Sequence, residues 1–316
     1  MINTCRSGKI IITHGLIILS IILSPFIILA QTGKSGDQDT VKLNKNRLIG
    51  IVAGQGAIYL GSLGGLYFVW YKNYPQSSFH FFNDDNEWQQ MDKCGHTTTA
   101  YNVSRLGYES YRWSGMNESQ STWFGGLLGL AYLLNIETLD GFSKEWGFSP
   151  GDLTANVAGC LFFVGQQLAW HEQRFILKYS YHPTKYTKYN PSELGPNWAQ
   201  DLIKDYNGQS YWLSCNLNSF LPKSSKFPKW FNIAFGYGAE GMTGAAINPK
   251  QVNNMPIPDF TRYHKFYISL DADLTRIPTK SKVLKGIFTV LGFIKIPSPS
   301  IEFNTLGKLK VYPLYF

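Results

Sequence analysis

The chain has few charged residues and few cysteines for its length. Lysine, arginine, aspartate and glutamate make up 16% of its 316 residues, below the roughly 25% of an ordinary globular domain. Hydrophobic residues make up 44% and aromatic residues 16% of the chain. This composition is typical of a protein with a large share of buried residues or of one that lies near a membrane. The four cysteines have no metal-type spacing, which argues against a cysteine-based zinc site and a disulfide scaffold.

Recognised catalytic and nucleotide-binding motifs are also missing. The sequence has no HExxH, no G-x-S-x-G and no phosphate loop, so no enzyme class is indicated by a motif. Zinc-finger spacing, an RNP motif and a dense basic run are lacking too. The formal charge of +8 therefore predicts an anionic lipid surface or an acidic protein partner rather than nucleic acid. We predict no cofactor and no bound metal, and the motifs leave open whether the protein is an enzyme.

Residues 1–30 carry the pattern of an export signal. Two basic residues precede an apolar run from Leu16 to Leu29, and Ala30-Gln31 supplies a small-residue cleavage point. An uncleaved anchor helix is the alternative, and Pro25 weakens it. We therefore predict a protein of the Gram-negative cell envelope, in the periplasm or outer membrane, with a signal peptide at 1–30 and a polar, flexible leader at 31–46.

The remaining sequence predicts an α+β fold that is helical first and strand-rich later. Residues 47–182 contain long, glycine-rich apolar segments that predict a bundle of about four helices. Residues 183–316 contain short alternating segments typical of strands, with a basic amphipathic helix over Ser281–Lys295. About five strands are too few to close a barrel, so we expect a sheet packed on the helical part. The uncharged helix over 48–71 either lies against lipid or is an internal helix of a soluble bundle.

Two segments give the most specific local predictions. Ser149 and Pro150 predict the cap and first residue of a helix that continues toward Tyr179 with a polar stripe reaching Arg174. The clearest strand runs over Phe266–Leu274, where apolar residues on one side alternate with tyrosine, serine and aspartate on the other.

A small set of polar residues recurs within apolar helical sequence. At helical spacing three pairs each share a face, because residues three or four positions apart are neighbours on a helix. Burying such groups costs several kcal/mol unless they pair or have a function. We therefore predict that three helices bring these residues together as a polar cluster of Asp92, His96, Glu137, Asp140, Asp152 and Asn156.

The polar cluster has a structural and an enzymatic interpretation. In the first, Asp152 caps its helix, His96 pairs with Asp92 or Glu137, and the strand-rich tail is a docking surface. In the second, His96, Glu137, Asp140 and Asp152 hold a divalent cation, or Glu137 and His96 act as base and acid on a lipid-linked or cell-wall substrate. We favour the structural interpretation and assign no catalytic residue.

The cluster motifs resemble known families. Asp92-Lys93-x-x-His96, Glu137 and Asp152-x-x-Ala155-Asn156 resemble the core of the VanZ-like and YfiM-like group. A longer set resembles the uncharacterised "predicted periplasmic lipoprotein" family common in Bacteroidetes, on the motifs Trp146–Ser149, His171–Arg174, Asp205–Gln209 and Phe235–Met242. The resemblance implies an envelope protein that contacts membrane lipid or an outer-membrane protein complex, such as a plug-like subunit of a secretion complex. It transfers no catalytic residue, and no lipid-attachment cysteine follows the apolar run.

Overall fold

The computed structural model describes residues 42–72 and 74–315. The predicted signal peptide and most of the leader lie outside these residues. Within them the fold is mixed helix and sheet, with most helices before the strands, and the predicted α+β class is confirmed. The bundle of about four helices stays a prediction, as does the division of the chain into residues 1–30, 31–46, 47–182 and 183–316.

Eight α-helices are present in the described part of the chain. The first begins where the Asn44 side chain accepts a hydrogen bond from the Arg47 N–H at 3.0 Å, which satisfies a free helix-end donor. A π-helical turn over Tyr67–Tyr71 continues it. The helices are α1 (Lys45–Leu66), α2 (Met91–Trp113), α3 (Glu118–Gly126), α4 (Leu128–Asp140), α5 (Pro150–Trp170), α6 (Pro191–Leu194), α7 (Trp198–Lys204) and α8 (Lys282–Leu291).

Six strands form one antiparallel sheet, and two short strands form a separate hairpin. The order in the main sheet is β1-β2-β3-β6-β7-β8, so each strand pairs with the one before it except across the β4–β5 hairpin. The strands are β1 (Phe175–Tyr181), β2 (Gln209–Asn216), β3 (Phe231–Glu240), β4 (Gln251–Val252), β5 (Met255–Pro256), β6 (Tyr263–Ala272), β7 (Ser298–Asn304) and β8 (Leu309–Tyr315).

The chain divides into two compact units. The first unit comprises Met1–Asn83 and Val103–Val164, and the second comprises Asp84–Asn102 and Gly165–Phe316. The whole sheet and α8 therefore belong to the second unit. Each unit is described by itself below.

Close helix packing in the first unit depends on one glycine of α3. A Cβ atom at Gly125 would lie 2.2 Å from the Tyr108 backbone nitrogen, so only glycine fits there. In contrast, a Cβ at Gly61 or Gly65 of α1 would meet nothing within 4 Å, so no described residue packs closely against these two glycines.

The sheet of the second unit is strongly curled. Nζ of Lys178 on β1 lies 2.7 Å from Oδ2 of Asp271 on β6, although two strands separate them in the sheet. In a flat sheet three strand spacings would be about 14 Å, too far for these side chains to meet. The Ser210 hydroxyl on β2 likewise lies 3.3 Å from the Tyr315 hydroxyl on β8. The sheet therefore has a concave inner face and a convex outer face.

Two predicted elements differ from the structure. The helix predicted to continue toward Tyr179 ends at Trp170, and Arg174 lies outside it, because His171 adopts a left-handed backbone with φ of 57°. The Gln166 side chain then accepts the Phe175 N–H at 2.8 Å, which starts β1. The strand predicted over 266–274 spans 263–272.

Candidate functional site

Asp92 and His96 contact each other on α2. Nε2 of His96 lies 3.8 Å from Oδ1 of Asp92, as their spacing of one helical turn predicts. The same Oδ1 accepts a hydrogen bond from the Tyr206 hydroxyl at 2.5 Å. Nζ of Lys93 lies 3.3 Å from Oδ2 of Asp92 and 2.6 Å from Asp84. The Asp92 carboxylate is thus held by a cation and a hydroxyl of its own unit.

Cys94 lies beside this pair and is not an activated nucleophile. Burial, together with the nearby Asp92 charge, raises the pKa of the Cys94 thiol to about 11. Because the thiolate is the reactive form of cysteine, the side chain stays protonated and inert at neutral pH. The motif that contains Asp92 and His96 therefore offers no thiol chemistry.

In the first unit, Glu137 and Asp152 are linked through Ser149. Oε2 of Glu137 accepts the Ser149 backbone N–H at 3.4 Å, and Oγ of Ser149 accepts the Asp152 backbone N–H at 3.0 Å. The predicted Ser149 cap is therefore confirmed. In a capping box the side chain of the third helical residue accepts the backbone N–H of the cap residue. Here the Ser149 N–H donates instead to Glu137 on another helix. Glu137 is 1% exposed, so this bond fixes a buried carboxylate at the start of α5.

Asp140 and Asn156 have separate positions in the same unit. Oδ1 of Asp140 accepts a hydrogen bond from the Tyr71 hydroxyl at 2.6 Å, so it anchors the turn that follows α1. Asn156 is fully buried one helical turn beyond Asp152 on α5. The structure thus places two of the six cluster residues in the second unit and four in the first. The meeting of His96 with Glu137 and Asp152 stays a prediction.

The inner face of the sheet is a buried polar network that sequence reasoning missed. Asp271 accepts a hydrogen bond from the Ser214 hydroxyl at 2.5 Å and pairs with Lys178, and both charged side chains are fully buried. Nζ of Lys295 lies 3.9 Å from the other Asp271 oxygen and donates to the Leu270 carbonyl at 2.8 Å. These contacts compensate charges that would otherwise cost several kcal/mol to bury.

The network continues along the inner face toward β8. The Tyr267 and Tyr315 hydroxyls lie 2.8 Å apart, and Glu302 accepts the Tyr312 hydroxyl at 2.9 Å. The Trp212 indole N–H donates to the Ser180 hydroxyl at 2.9 Å. The inner face of the sheet therefore combines hydrogen bonds and ion pairs with a small buried cluster of Trp212, Ala234, Tyr267 and Tyr315.

The outer face has the opposite character. Large apolar side chains are exposed on it along β3, β6, β7 and β8: Ile268 is 45% exposed, Phe235 52% and Val311 67%. Cross-strand pairing aligns Phe235, Ile268, Ile301 and Val311 in one continuous row. The uncovered outer face comprises Phe235, Phe266, Ile268, Leu270, Ile301, Phe303, Leu309 and Val311.

Part of the convex side is covered within the second unit. A Cβ at Gly95 of α2 would lie 2.9 Å from the Tyr211 hydroxyl, and the Tyr237 hydroxyl donates to the Gln89 carbonyl at 2.5 Å. Residues 84–102 therefore shield one end of β2 and β3. The packing of the sheet on the rest of the helical part stays a prediction, and within the second unit no other described residue buries the uncovered outer face.

The first unit contains a helix that could cross a bilayer by length and composition. It is α1, and 6% of its apolar window is buried. Ile58 on this helix is 74% exposed. Most of α1 is therefore not buried among the described residues. This exposure favours contact with lipid over an internal helix of a soluble bundle, and the lipid contact itself stays a prediction.

A family comparison covers one stretch of the chain. Residues 80–165 match the model of a family of unknown function described as predicted periplasmic lipoprotein (DUF2279). The match covers less than a third of the chain and contains all six residues of the predicted polar cluster. Comparison with curated proteins and with solved structures finds no match.

The family description agrees with the N-terminal segment on location. A periplasmic lipoprotein family and an apolar export segment both indicate the cell envelope, and the predicted location is confirmed. The resemblance to VanZ-like proteins and the Bacteroidetes type stay predictions.

Proposed function

We propose that the protein is a non-enzymatic component of the cell envelope whose outer face contacts the hydrocarbon of a membrane. The observation that carries this proposal is the inversion of the sheet, in which charged and hydroxyl side chains are buried and apolar side chains are exposed. A sheet in water has the reverse arrangement. The arrangement in this protein is that of membrane strands, which alternate apolar residues toward lipid with polar residues toward the interior.

Lipid fits the outer face better than a water-soluble protein does. Protein interfaces carry about one hydrogen bond per 100–200 Å² and a polar rim, whereas the row from Phe235 to Val311 has no polar side chain. Apolar surface removed from water contributes roughly 25 cal/mol per Å², and acyl chains supply this contact without needing polar partners. β3 and β6 have ten residues each, the length that a tilted membrane strand requires.

The edges of the sheet restrict how it can lie in a membrane, because unpaired strand edges are unstable in hydrocarbon. The β1 edge is satisfied within its unit: the Tyr179 N–H donates to the Phe293 carbonyl at 2.8 Å, and Asn102 donates to the Leu177 carbonyl at 2.9 Å. β8 is the other edge, and Pro313 removes one of its donors. The free edge of β8 therefore lies against protein or headgroups, where an outer-membrane complex would bind, while its outward side chains face lipid. A plug-like role in a secretion complex stays a prediction.

The contacts of the predicted polar cluster support a structural role for it. Tyrosine hydroxyls hold Asp92 and Asp140, and Glu137 holds the start of a helix. Cys94, which lies between Asp92 and His96, is protonated at neutral pH, as its raised pKa indicates. A folded Glu137→Gln protein that lost a chemical activity measurable in the wild type would contradict the structural role and favour the enzyme alternative.

Photolabelling of the full chain in phospholipid vesicles tests the lipid contact. With a carbene precursor confined to the acyl chains, we expect label on the peptides that contain β6 and β7, because their outward side chains face the probe. Mass spectrometry identifies the labelled peptides. The exposed loop over 221–229 is the matched water-facing control and is expected to carry little label.

The labelled positions separate the sheet from the apolar helix. Label on Phe266, Ile268 or Phe303 supports the proposal. Label confined to α1, with β6 and β7 no more reactive than the control loop, would show that the helix alone contacts lipid and would overturn the proposed role of the sheet.

A further inference from the structure

Helix α8 is amphipathic, but its apolar side is uncovered. At 100° per residue Val283, Leu284, Ile287, Val290 and Leu291 occupy one side. A helix on a globular protein normally buries such a stripe. Here no residue of the helix is buried, and Val283 is 73% exposed.

The charges of α8 favour an anionic partner. Lys282 and Lys285 lie in its first turns on the polar side, with Lys280 just before them, and the first turn has no acidic residue. Cations near a helix N-terminus oppose the helix dipole and weaken the helix slightly. The sequence from Leu274 to Ile301 contains no aspartate or glutamate, so the helix itself supplies no acidic residue that would offset these lysines.

The helix is fixed to the sheet at its C-terminal end. The Tyr179 N–H on β1 donates to the Phe293 carbonyl at 2.8 Å, and the Lys295 N–H donates to the Tyr179 carbonyl at 2.9 Å. The Ser281 hydroxyl caps the other end by accepting the Leu284 N–H at 3.2 Å. An exposed apolar helix is thus held in a defined place on the second unit rather than on a loose tail.

We infer that α8 is an interfacial helix that binds the anionic headgroup layer of a phospholipid bilayer. This inference rests on the proposed function, since it assigns the sheet to hydrocarbon and α8 to the adjoining headgroups. The apolar side enters the boundary between headgroups and acyl chains, to a depth of about 5–10 Å in such helices. Lysines near an anionic surface strengthen this binding about fivefold each.

The test compares two probe positions on the full chain in bilayer discs. An environment-sensitive fluorophore is attached at Val283→Cys or at Ile268→Cys, in a chain whose own cysteines are replaced by alanine. The discs contain phosphatidylcholine alone or a mixture with phosphatidylglycerol. Acrylamide, a neutral quencher in the water phase, reports the exposure of each probe.

We expect the Val283→Cys probe to become protected from acrylamide when phosphatidylglycerol is added, and less so at high salt, because salt screens the lysines. The double variant Lys282→Glu and Lys285→Glu is expected to lower the docking equilibrium constant by about 25-fold or more. The double variant Lys223→Glu and Lys226→Glu makes the same charge change at exposed loop positions and is expected to leave docking unchanged.

The two probes separate the possible failures. If the Ile268→Cys probe is protected but the Val283→Cys probe stays accessible in both lipids, the assignment of α8 is wrong and the proposed function stands. If the Ile268→Cys probe is also accessible, the proposed function fails. Protection of Val283→Cys that does not depend on phosphatidylglycerol or on the lysines would overturn the anionic specificity.

Discussion

Replacing Ile268 by lysine is expected to destabilise the folded chain in a phospholipid bilayer by about 2–4 kcal/mol, the cost of a cation at the lipid face of a membrane strand. Ile268 lies near the middle of β6, with its side chain on the outer face. A charge there must enter hydrocarbon or pull water toward it. Reversible guanidinium unfolding of the chain in phosphatidylcholine vesicles measures this free energy.

Ile247→Lys is the matched control for this prediction. Ile247 is 79% exposed in a loop, so the same change of side chain should alter stability by less than about 0.5 kcal/mol, as is usual at surface positions. If Ile268→Lys costs no more than Ile247→Lys, the outer face lies in water or against a removable partner, and the lipid contact is wrong.

Removing the Asp271 carboxylate is expected to produce the second large effect. Asp271→Asn leaves the buried Lys178 ammonium without its partner at 2.7 Å, and breaking a buried ion pair on one side costs about 3–5 kcal/mol. The same unfolding measurement applies. Asp259→Asn, at an exposed position, should cost less than about 0.5 kcal/mol.

A double variant shows whether the cost arises from the unpaired charge. Asp271→Asn combined with Lys178→Met removes the 2.7 Å ion pair, while the Lys295 ammonium, which lies 3.9 Å from Asp271, keeps its hydrogen bond to the Leu270 carbonyl. Replacing a buried ion pair by uncharged groups is often close to neutral. We therefore expect the double variant to recover most of the lost stability. Equal losses in the single and double variants would mean that packing around Asp271, rather than the ion pair, holds the inner face together.

The alternation of β6 was predictable from sequence, but its orientation was not. Apolar residues at 266, 268 and 270 and polar residues between them indicate a strand with two unlike faces. The same period of two describes a strand with its apolar side in a protein core and one with its apolar side in lipid. Which side of β6 faces the interior depends on the buried partners of its polar side chains. One such partner, Lys178, lies on a strand far away in sequence from Asp271, so local sequence could not reveal it.

The contacts of the polar cluster that join residues close in sequence were also predictable. Helical spacing fixes the contact between Asp92 and His96, and the Ser149 cap follows from local sequence grammar. The tyrosine partners could not be predicted from local sequence, because Tyr206 lies 114 positions from Asp92 and Tyr71 lies 69 positions from Asp140. β1 was missed because the amphipathic pattern of α5 runs on past Trp170, and the left-handed residue that ends it is a histidine rather than glycine.

The central claim is that the outer face of the sheet contacts lipid, and nitroxide accessibility along β6 tests it most directly. Single cysteines at Phe266, Ile268, Ser269 and Leu270 are spin-labelled in vesicles, and collisions with oxygen are compared with collisions with a water-soluble nickel complex. We predict oxygen-dominated collisions at 266, 268 and 270 and low collision rates with both reagents at the buried position 269. Nickel-dominated collisions at Phe266, Ile268 and Leu270 would place the outer face in water and contradict the claim.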